Sequence, residues 1–337
     1  MEILIQKEIL ITGADGFIGS HLTEYLVNKG YSVKALTLYN SFNSWGCLDF
    51  IDEKIKKEIE VIHGDIRDVE SIKKTMINCE IVINLAALIS IPYSYVSPES
   101  YIDTNVRGTY NILNAAKNLG NIKVIHTSTS EVYGTAQQIP IKEDHPLVAQ
   151  SPYAATKICA DQLAYSFYSS FKLPVLILRP FNTFGPRQSL RAIIPTIISQ
   201  FLTKEKNMTI GNINPKRNFN YIKDTVSGFE RACKSNCFNG QVINIGSKFE
   251  ISIKDTIKLI SRLMDKKLKI KSDIKRIRPK KSEVYRLVAS NTKAKKLLKW
   301  KPTYDNKSSF TSAIQETIDW YSDPENLEKF KSNLYNL

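Results

Sequence analysis

The sequence predicts an α/β fold, a doubly wound parallel sheet with a smaller C-terminal lobe. Three observations predict it. Through the first half of the chain, short β-rich runs alternate with helical stretches. The runs are continuous Val/Ile/Leu segments, as in strands covered on both faces, rather than alternating apolar and polar ones. After Asn182 the rhythm breaks, which sets residues 1–182 as the sheet domain, with 219–249 returning to it, and residues 183–337 as mainly the lobe.

The predicted strands are Glu8–Thr12, Ser32–Leu38, Glu60–Gly64, Ile81–Leu85, Lys123–Ser128 and Val175–Arg179, separated by helices over His21–Lys29, Ser71–Ile77, Gly108–Asn118 and Ala154–Phe171. Phe184–Gln188 reads as a loop. An apolar helix over Ile193–Leu202, a buried strand over Gln241–Ile245, a helix over Ile253–Leu263 and helical periodicity over Phe310–Tyr321 complete the lobe. In open sheets of this kind ligands bind beyond the carboxyl ends of the strands, which is where such a lobe would sit.

The 337 residues are 42% hydrophobic and 24% charged, which excludes a disordered chain and a disulfide scaffold. No uninterrupted apolar run reaches the length of a membrane span. With no basic lead followed by an apolar stretch, no secretory signal is read, and a cytoplasmic protein is expected. The five cysteines, Cys47, Cys79, Cys159, Cys233 and Cys237, are odd in number and scattered, so reduced thiols are expected. Cys233 and Cys237 form one C-x3-C pair with no second pair, and no metal site is read there. The net charge of +14 favours anionic partners, and its densest segment, Lys266–Lys281, alternates Leu268 and Ile270 with lysines as a half-exposed strand does.

Two stretches carry chemistry. In the first, Ile9–Thr12 leads into Gly13–Ala14–Asp15–Gly16–Phe17–Ile18–Gly19 and then into a helix. Glycines there permit a tight turn and let backbone N–H groups, including those of Phe17 and Ile18, approach a pyrophosphate at the helix N-terminus. In the second, Tyr153 and Lys157 lie four apart at a helix start, hence on one face. An ammonium beside a phenol favours the phenolate and would pull it toward neutrality, making it a base for a sugar hydroxyl.

The G-x-x-G-x-x-G spacing resembles that of the extended short-chain dehydrogenase/reductase family, a Rossmann-like fold, and Y-x-x-x-K follows at the family's position. The resemblance implies a tightly bound NAD or NADP regenerated in each cycle. It assigns cofactor contacts to Gly13, Gly16, Phe17, Ile18, Gly19, Asp65, Ile66, Leu85, Ala86, Ala87, Asn105, Tyr153 and Lys157. The end of the second strand, Ala35–Ser41, has no carboxylate to accept from a ribose and no arginine to hold a 2′-phosphate, so Thr37, Asn40 and Ser41 serve either cofactor.

Thr129 takes the place of the family's hydroxyl partner to Tyr153, within Thr127–Ser128–Thr129–Ser130–Glu131–Val132–Tyr133–Gly134. Glu131 points to the 4,6-dehydratase branch, where oxidation at C4 acidifies the C5 proton, a glutamate removes it, and water leaves from C6. That branch carries Thr-Asp-Glu; here Ser130 replaces the aspartate, and either Glu131 hands on its own proton or Ser130 relays one through water. The same resemblance implies substrate contacts at Ser90, Asn182, Arg187, Pro195, Arg217 and Arg278, the arginines suited to a diphosphate by their planar fork.

Tyr39–Trp45, Ala86–Tyr95, Thr127–Gln137, Gln150–Tyr153 and Arg187–Pro195 are similar to the nucleotide-diphospho-N-acetylglucosamine 4,6-dehydratases of nonulosonic acid (legionaminic-acid type) pathways, and the likeness runs to Lys299–Pro302. The expected reaction is dehydration of a UDP-N-acetylhexosamine, with a GDP-linked sugar second. UDP-glucuronate decarboxylation, C4 epimerisation, and a dinucleotide-binding protein whose basic segment binds RNA are the alternatives, in that order. No nucleic-acid or membrane partner is expected, and a homodimer through the helices after Arg107 and Tyr153 is.

Overall fold

The computed structural model describes residues 8–203, 207–273, 276–277 and 279–330. Its centre is a seven-stranded sheet built from β1 (Glu8–Thr12), β2 (Ser32–Thr37), β3 (Ile59–His63), β4 (Ile81–Asn84), β5 (Lys123–Thr127), β6 (Val175–Pro180) and β11 (Asn239–Ile245). The order is β11-β6-β5-β4-β1-β2-β3 and every pairing is parallel. The order reverses beside β1, so a crevice opens at the carboxyl ends of β1 and β4. Between β6 and β11 lie β7 (Thr183–Phe184), β8 (Asn207–Ile210), β9 (Lys216–Asn218) and β10 (Asn220–Tyr221); β12 (Glu250–Ser252), β13 (Lys269–Ser272) and β14 (Arg286–Leu287) follow.

Helices α1 (Phe17–Val27), α2 (Glu53–Lys56), α3 (Val69–Thr75), α4 (Ile91–Val96), α5 (Pro98–Tyr101), α6 (Gly108–Leu119) and α7 (Pro152–Phe171) accompany the first six strands. The later chain adds α8 (Ile193–Leu202), α9 (Ile222–Cys233), α10 (Ile253–Leu263), α11 (Thr292–Leu297), α12 (Lys307–Ser322) and α13 (Pro324–Glu328). α7 starts where Ser151 accepts from the Ala154 N–H and Pro152 fills the first helical position; it stops at Lys172, which takes a left-handed conformation.

The two faces of the sheet bury separate apolar clusters. One holds Leu10, Val82, Val124 and Ile177 against Ile112 of α6 and Phe167 of α7. The other holds Ile9, Ile11, Ile83 and Leu178, and it continues without a break through α8, α9 and α10 to Phe310 and Ile314 of α12. The C-terminal lobe therefore shares its core with the sheet. Strand β9 carries Arg217 between antiparallel β12 and parallel β14. The basic segment does form a strand, β13, paired with β8, but all four of its residues are exposed, Ile270 included. It is a surface strand rather than a half-exposed one, and Leu268 just before it is what packs on the core.

Candidate active site

The glycine loop is a cradle cut to backbone dimensions. Gly13 has φ +68°, and a Cβ there would stand 2.8 Å from Cα of Ala86. A Cβ on Gly19 would collide with the Gly13 carbonyl. Gly16 caps α1 with no side-chain acceptor, leaving the first helical N–H groups for an anion. The Thr12 hydroxyl ties the loop to its neighbour: it donates to Asn84 Oδ1 (2.8 Å) and accepts from the Ala86 N–H (3.1 Å). Leu85–Ala87 thus runs past Gly13 with no side chain between them. These features fit a dinucleotide pyrophosphate, and no metal-binding group of three or more acidic, histidine or cysteine side chains occurs among the described residues.

Several residues expected at the cofactor also make hydrogen bonds within the protein. The Thr37 hydroxyl is buried against His63 Nδ1 at 2.9 Å. Asn40 folds its own loop, accepting from the Phe42 and Ser44 N–H groups and donating to the Ser44 carbonyl, while Ser41 is exposed. Asp65 is held by the Arg67 guanidinium, which lowers its pKa, and the Ile66 carbonyl accepts from Asn111. Asn105, in a π-helical turn over Ile102–Arg107, is buried, bonds Leu88 in both directions and donates to the Thr156 hydroxyl. It braces the wall of the crevice from behind.

Sequence reasoning overlooked Asp15. Its carboxylate accepts from the Leu38 N–H at 3.3 Å, and burial raises its pKa. The end of β2, lacking an acid of its own, receives one from the glycine loop.

The trio expected to be catalytic, Thr129, Tyr153 and Lys157, lies on the turn after β5 and on α7. Thr129, two residues after β5 and in extended conformation, caps a 3-10 turn over Ser130–Tyr133 by accepting from the Glu131 N–H (3.2 Å), and its hydroxyl acts on Tyr153 to lower the phenol's pKa. Tyr153 is buried with Ile91 and Tyr101, whose ring meets it edge-on at 6.2 Å. Burial raises its pKa, Thr129 opposes that, and the charge of Glu131 adds to it. Ser130 is 1% exposed, underneath the turn.

Lys157 lies four residues after Tyr153 on α7, and both side chains are buried. The lysine Nζ donates to the Thr127 carbonyl at 2.5 Å, and burial lowers its pKa to about 8. Asp161, Ser128, Arg179 and His126 form a buried polar cluster behind the trio. The signal for it was available in the sequence: Asp161 is one turn beyond Lys157, on the same apolar-flanked face.

On the substrate side, Asn182 presents a buried Nδ2 with no partner. Ser90 precedes α4, and its carbonyl accepts from the Tyr101 hydroxyl. Pro195 is buried in the first turn of α8. Arg187, at φ +67°, pairs with Glu24 of α1 at 2.6 Å, while its Nε and Nη1 are buried without hydrogen bonds. Arg217 Nη2 lies 3.3 Å from Glu283 Oε1. Arg278 lies outside the described residues.

This fold and this trio define an extended short-chain dehydrogenase/reductase, an enzyme built around a dinucleotide. Residues 10–316 match the family described as GDP-mannose 4,6-dehydratase, and the chain belongs to that family. Human dTDP-D-glucose 4,6-dehydratase is 31% identical over 335 residues, covering 97% of this chain and 92% of that protein. The UDP-N-acetyl-alpha-D-glucosaminuronate decarboxylase of Bacillus cytotoxicus is 32% identical over 96% of this chain and all of its own length. A crystal structure of Bacillus cereus UDP-glucuronic acid 4-epimerase, with a fluorinated UDP-sugar and NAD, superposes with a TM-score of 0.83 at 28% identity, over 93% of this chain and 98% of the other. The family is NAD-dependent and works on nucleotide sugars, by dehydration, epimerisation or decarboxylation. No helix among the described residues is long and apolar enough to cross a membrane.

Proposed function

We propose that the protein is a 4,6-dehydratase of a UDP-N-acetylhexosamine, UDP-N-acetylglucosamine first, with a GDP-linked sugar as the second choice. The observation that carries this reading is Glu131 on the turn after β5, where its charge raises the pKa of the Tyr153 phenol. An epimerase has no task for an acid there. A decarboxylase needs a cation for the C6 carboxylate, and the charge that acts most strongly on the Tyr153 phenol is the Glu131 anion.

NAD, when bound, accepts a hydride from C4 and returns it at C6. Tyr153 takes the C4 hydroxyl proton and Thr129 orients that hydroxyl. The resulting C4 ketone acidifies C5, and Glu131 removes that proton. Because Ser130 is buried, the newly protonated Glu131 is also the acid that meets the C6 hydroxyl as the C6–O bond breaks, releasing water. The hydride then enters C6, C5 takes a proton from solvent and Tyr153 releases its own to solvent, so cofactor, carboxylate and phenolate end as they began. Asn182 and Arg217 supply donors for the diphosphate.

The five cysteines are free thiols, in keeping with a cytoplasmic enzyme. Exposed Tyr110 on α6 with Tyr165 and Phe171 on α7 support a homodimer through these helices, checked by sedimentation.

Incubation with UDP- and GDP-N-acetylglucosamine in deuterated water, read by NMR, tests the function. A 4-keto-6-deoxy sugar carrying deuterium at C5 is expected, and Glu131→Gln should stop its formation while nucleotide binding persists. A C4 epimer as sole product, or carbon dioxide from a UDP-uronate, would overturn the reading.

A further inference from the structure

Asp161 belongs to α7, yet it holds together the ends of two strands. Its Oδ2 accepts from Ser128 Oγ (2.7 Å) at the end of β5 and from Arg179 Nε (3.1 Å) and Nη2 (2.9 Å) in β6. Its Oδ1 lies 3.2 Å from His126 Nε2, without the alignment of a hydrogen bond. Arg179 passes the tie on to the turn that carries Glu131: Nη1 donates to the Tyr133 hydroxyl at 2.9 Å, and Tyr133 donates to Asn244 of β11 at 2.7 Å. All of these side chains are buried. The segment pinned at Ser128 has its two neighbours on the catalytic pair: the Thr127 carbonyl receives Lys157, and the Thr129 hydroxyl meets Tyr153.

We propose that Asp161 is a positioning residue for the proton and hydride transfer at C4, fixing the Thr127–Thr129 segment and supplying the counter-charge for the Lys157 ammonium one turn away. The proposal rests on Tyr153 and Lys157 carrying that transfer, and on nothing specific to dehydration.

The charges around Lys157 leave this task to Asp161. From β5 comes His126, which burial and the charges of Lys157 and Arg179 hold neutral. From β6 comes Arg179, a cation. From the turn after β5 come Tyr133 and Glu131, whose charge acts on Tyr153; from α5 comes the neutral Tyr101. Burial drives Lys157 toward its uncharged form, and Asp161 is the group that opposes this. A neutral lysine would no longer favour the phenolate.

The test follows the ionisation of Lys157 directly, by ζ-15N NMR titration of the NAD-loaded protein, with Lys157→Gln identifying the resonance. In Asp161→Asn the ammonium should lose its proton about one pH unit lower than in the wild type. Asp161→Glu, which keeps the charge, should restore the wild-type midpoint even if it lowers the rate. The double variant Asp161→Asn/Arg179→Met removes both buried charges and keeps the measurement available should the single variant not fold; it should titrate low as well. In parallel, the alkaline limb of substrate-dependent NAD reduction should move with the NMR midpoint. An unchanged Lys157 midpoint in both asparagine variants would overturn the proposal, whatever happens to the rate. Absence of dehydrated product with the NMR shift intact would count against the dehydratase reading alone.

Discussion

The Asp15 carboxylate and the Leu38 backbone N–H meet at 3.3 Å, which brings an acid from the glycine loop to the end of β2. In dinucleotide sites of this architecture, that location faces the adenosine ribose. A carboxylate there accepts from a 2′-hydroxyl and repels a 2′-phosphate, and discrimination by repulsion is the economical way to reject the phosphorylated cofactor. Asp15→Asn should therefore narrow the preference for NAD over NADP by about tenfold, equivalent to about 1.4 kcal/mol. Binding of the two cofactors measured by fluorescence quenching checks this, and an unchanged ratio would remove Asp15 from cofactor choice.

Gly13→Ala should abolish retention of the dinucleotide. The substitution meets two obstacles, a left-handed φ of +68° and a Cβ position 2.8 Å from Cα of Ala86. Strain alone costs about 1–2 kcal/mol, and relief by separating β1 from β4 would widen the pyrophosphate cradle. Protein purified in NAD-containing buffer and then denatured should release little dinucleotide, against close to one per chain in the wild type.

Much of this was legible in the sequence because the signals were local. β1, α8 and α10 coincide with their predicted bounds, since each is a strongly apolar or periodic run with clear ends. The glycine loop and the Tyr153–Lys157 pair were equally readable, being fixed spacings within one strand–loop–helix or one helix turn. What escaped were relationships across the fold. Asp15 lies 23 residues from Leu38, and only the parallel pairing of β1 with β2 makes them neighbours. Thr37 looked available at a strand end, but its hydroxyl is taken by His63 on β3. Lys157 and Tyr153 share a face as expected, yet the lysine's hydrogen bond goes to a β5 carbonyl 30 residues earlier. Periodicity shows which face a residue occupies; which partner it finds there is a property of strand order.

Tyr153→Phe isolates the proton-transfer role. The phenyl ring keeps the edge-on contact with Tyr101 and the packing on Ile91, so the melting temperature should stay within a few degrees of the wild type. The hydroxyl alone is lost, and turnover should fall by about 10²–10⁴-fold. Stopped-flow absorbance of NAD reduction on mixing with substrate separates this from a folding defect. A fall of less than tenfold would transfer the base function to another group.

Glu283 neutralises Arg217 in this structure, at 3.3 Å with both side chains buried. If Arg217 serves the diphosphate, the carboxylate competes with the ligand. Glu283→Gln should then destabilise the free protein by about 1–3 kcal/mol, the cost of a buried charge short of a partner. It should also tighten UDP binding, with saturating UDP recovering the lost melting temperature. Calorimetric titration with UDP decides the matter: weaker binding in the variant would mean that the pair is a structural strut of β9.

Acid should unfold the protein partly through its histidines. The His21 Nε2–H donates to the Pro186 carbonyl at 2.9 Å, bridging α1 to the loop after β7. Burial and the Arg187 charge lower its pKa to about 3. His126 is lowered too, first by burial. A base whose folded pKa lies below its unfolded value of about 6.5 binds a proton only after unfolding. Stability is therefore complete above that unfolded value and declines as pH falls through the window down to the folded pKa. From pH 6.5 to pH 4, His21 alone should account for about 2–3 kcal/mol. Urea unfolding across this range should show the decline, and His21→Gln, which keeps a donor for Pro186 without a titrating ring, should flatten it. Equal slopes in the two proteins would assign the acid sensitivity to other groups, with buried His126 the first to examine.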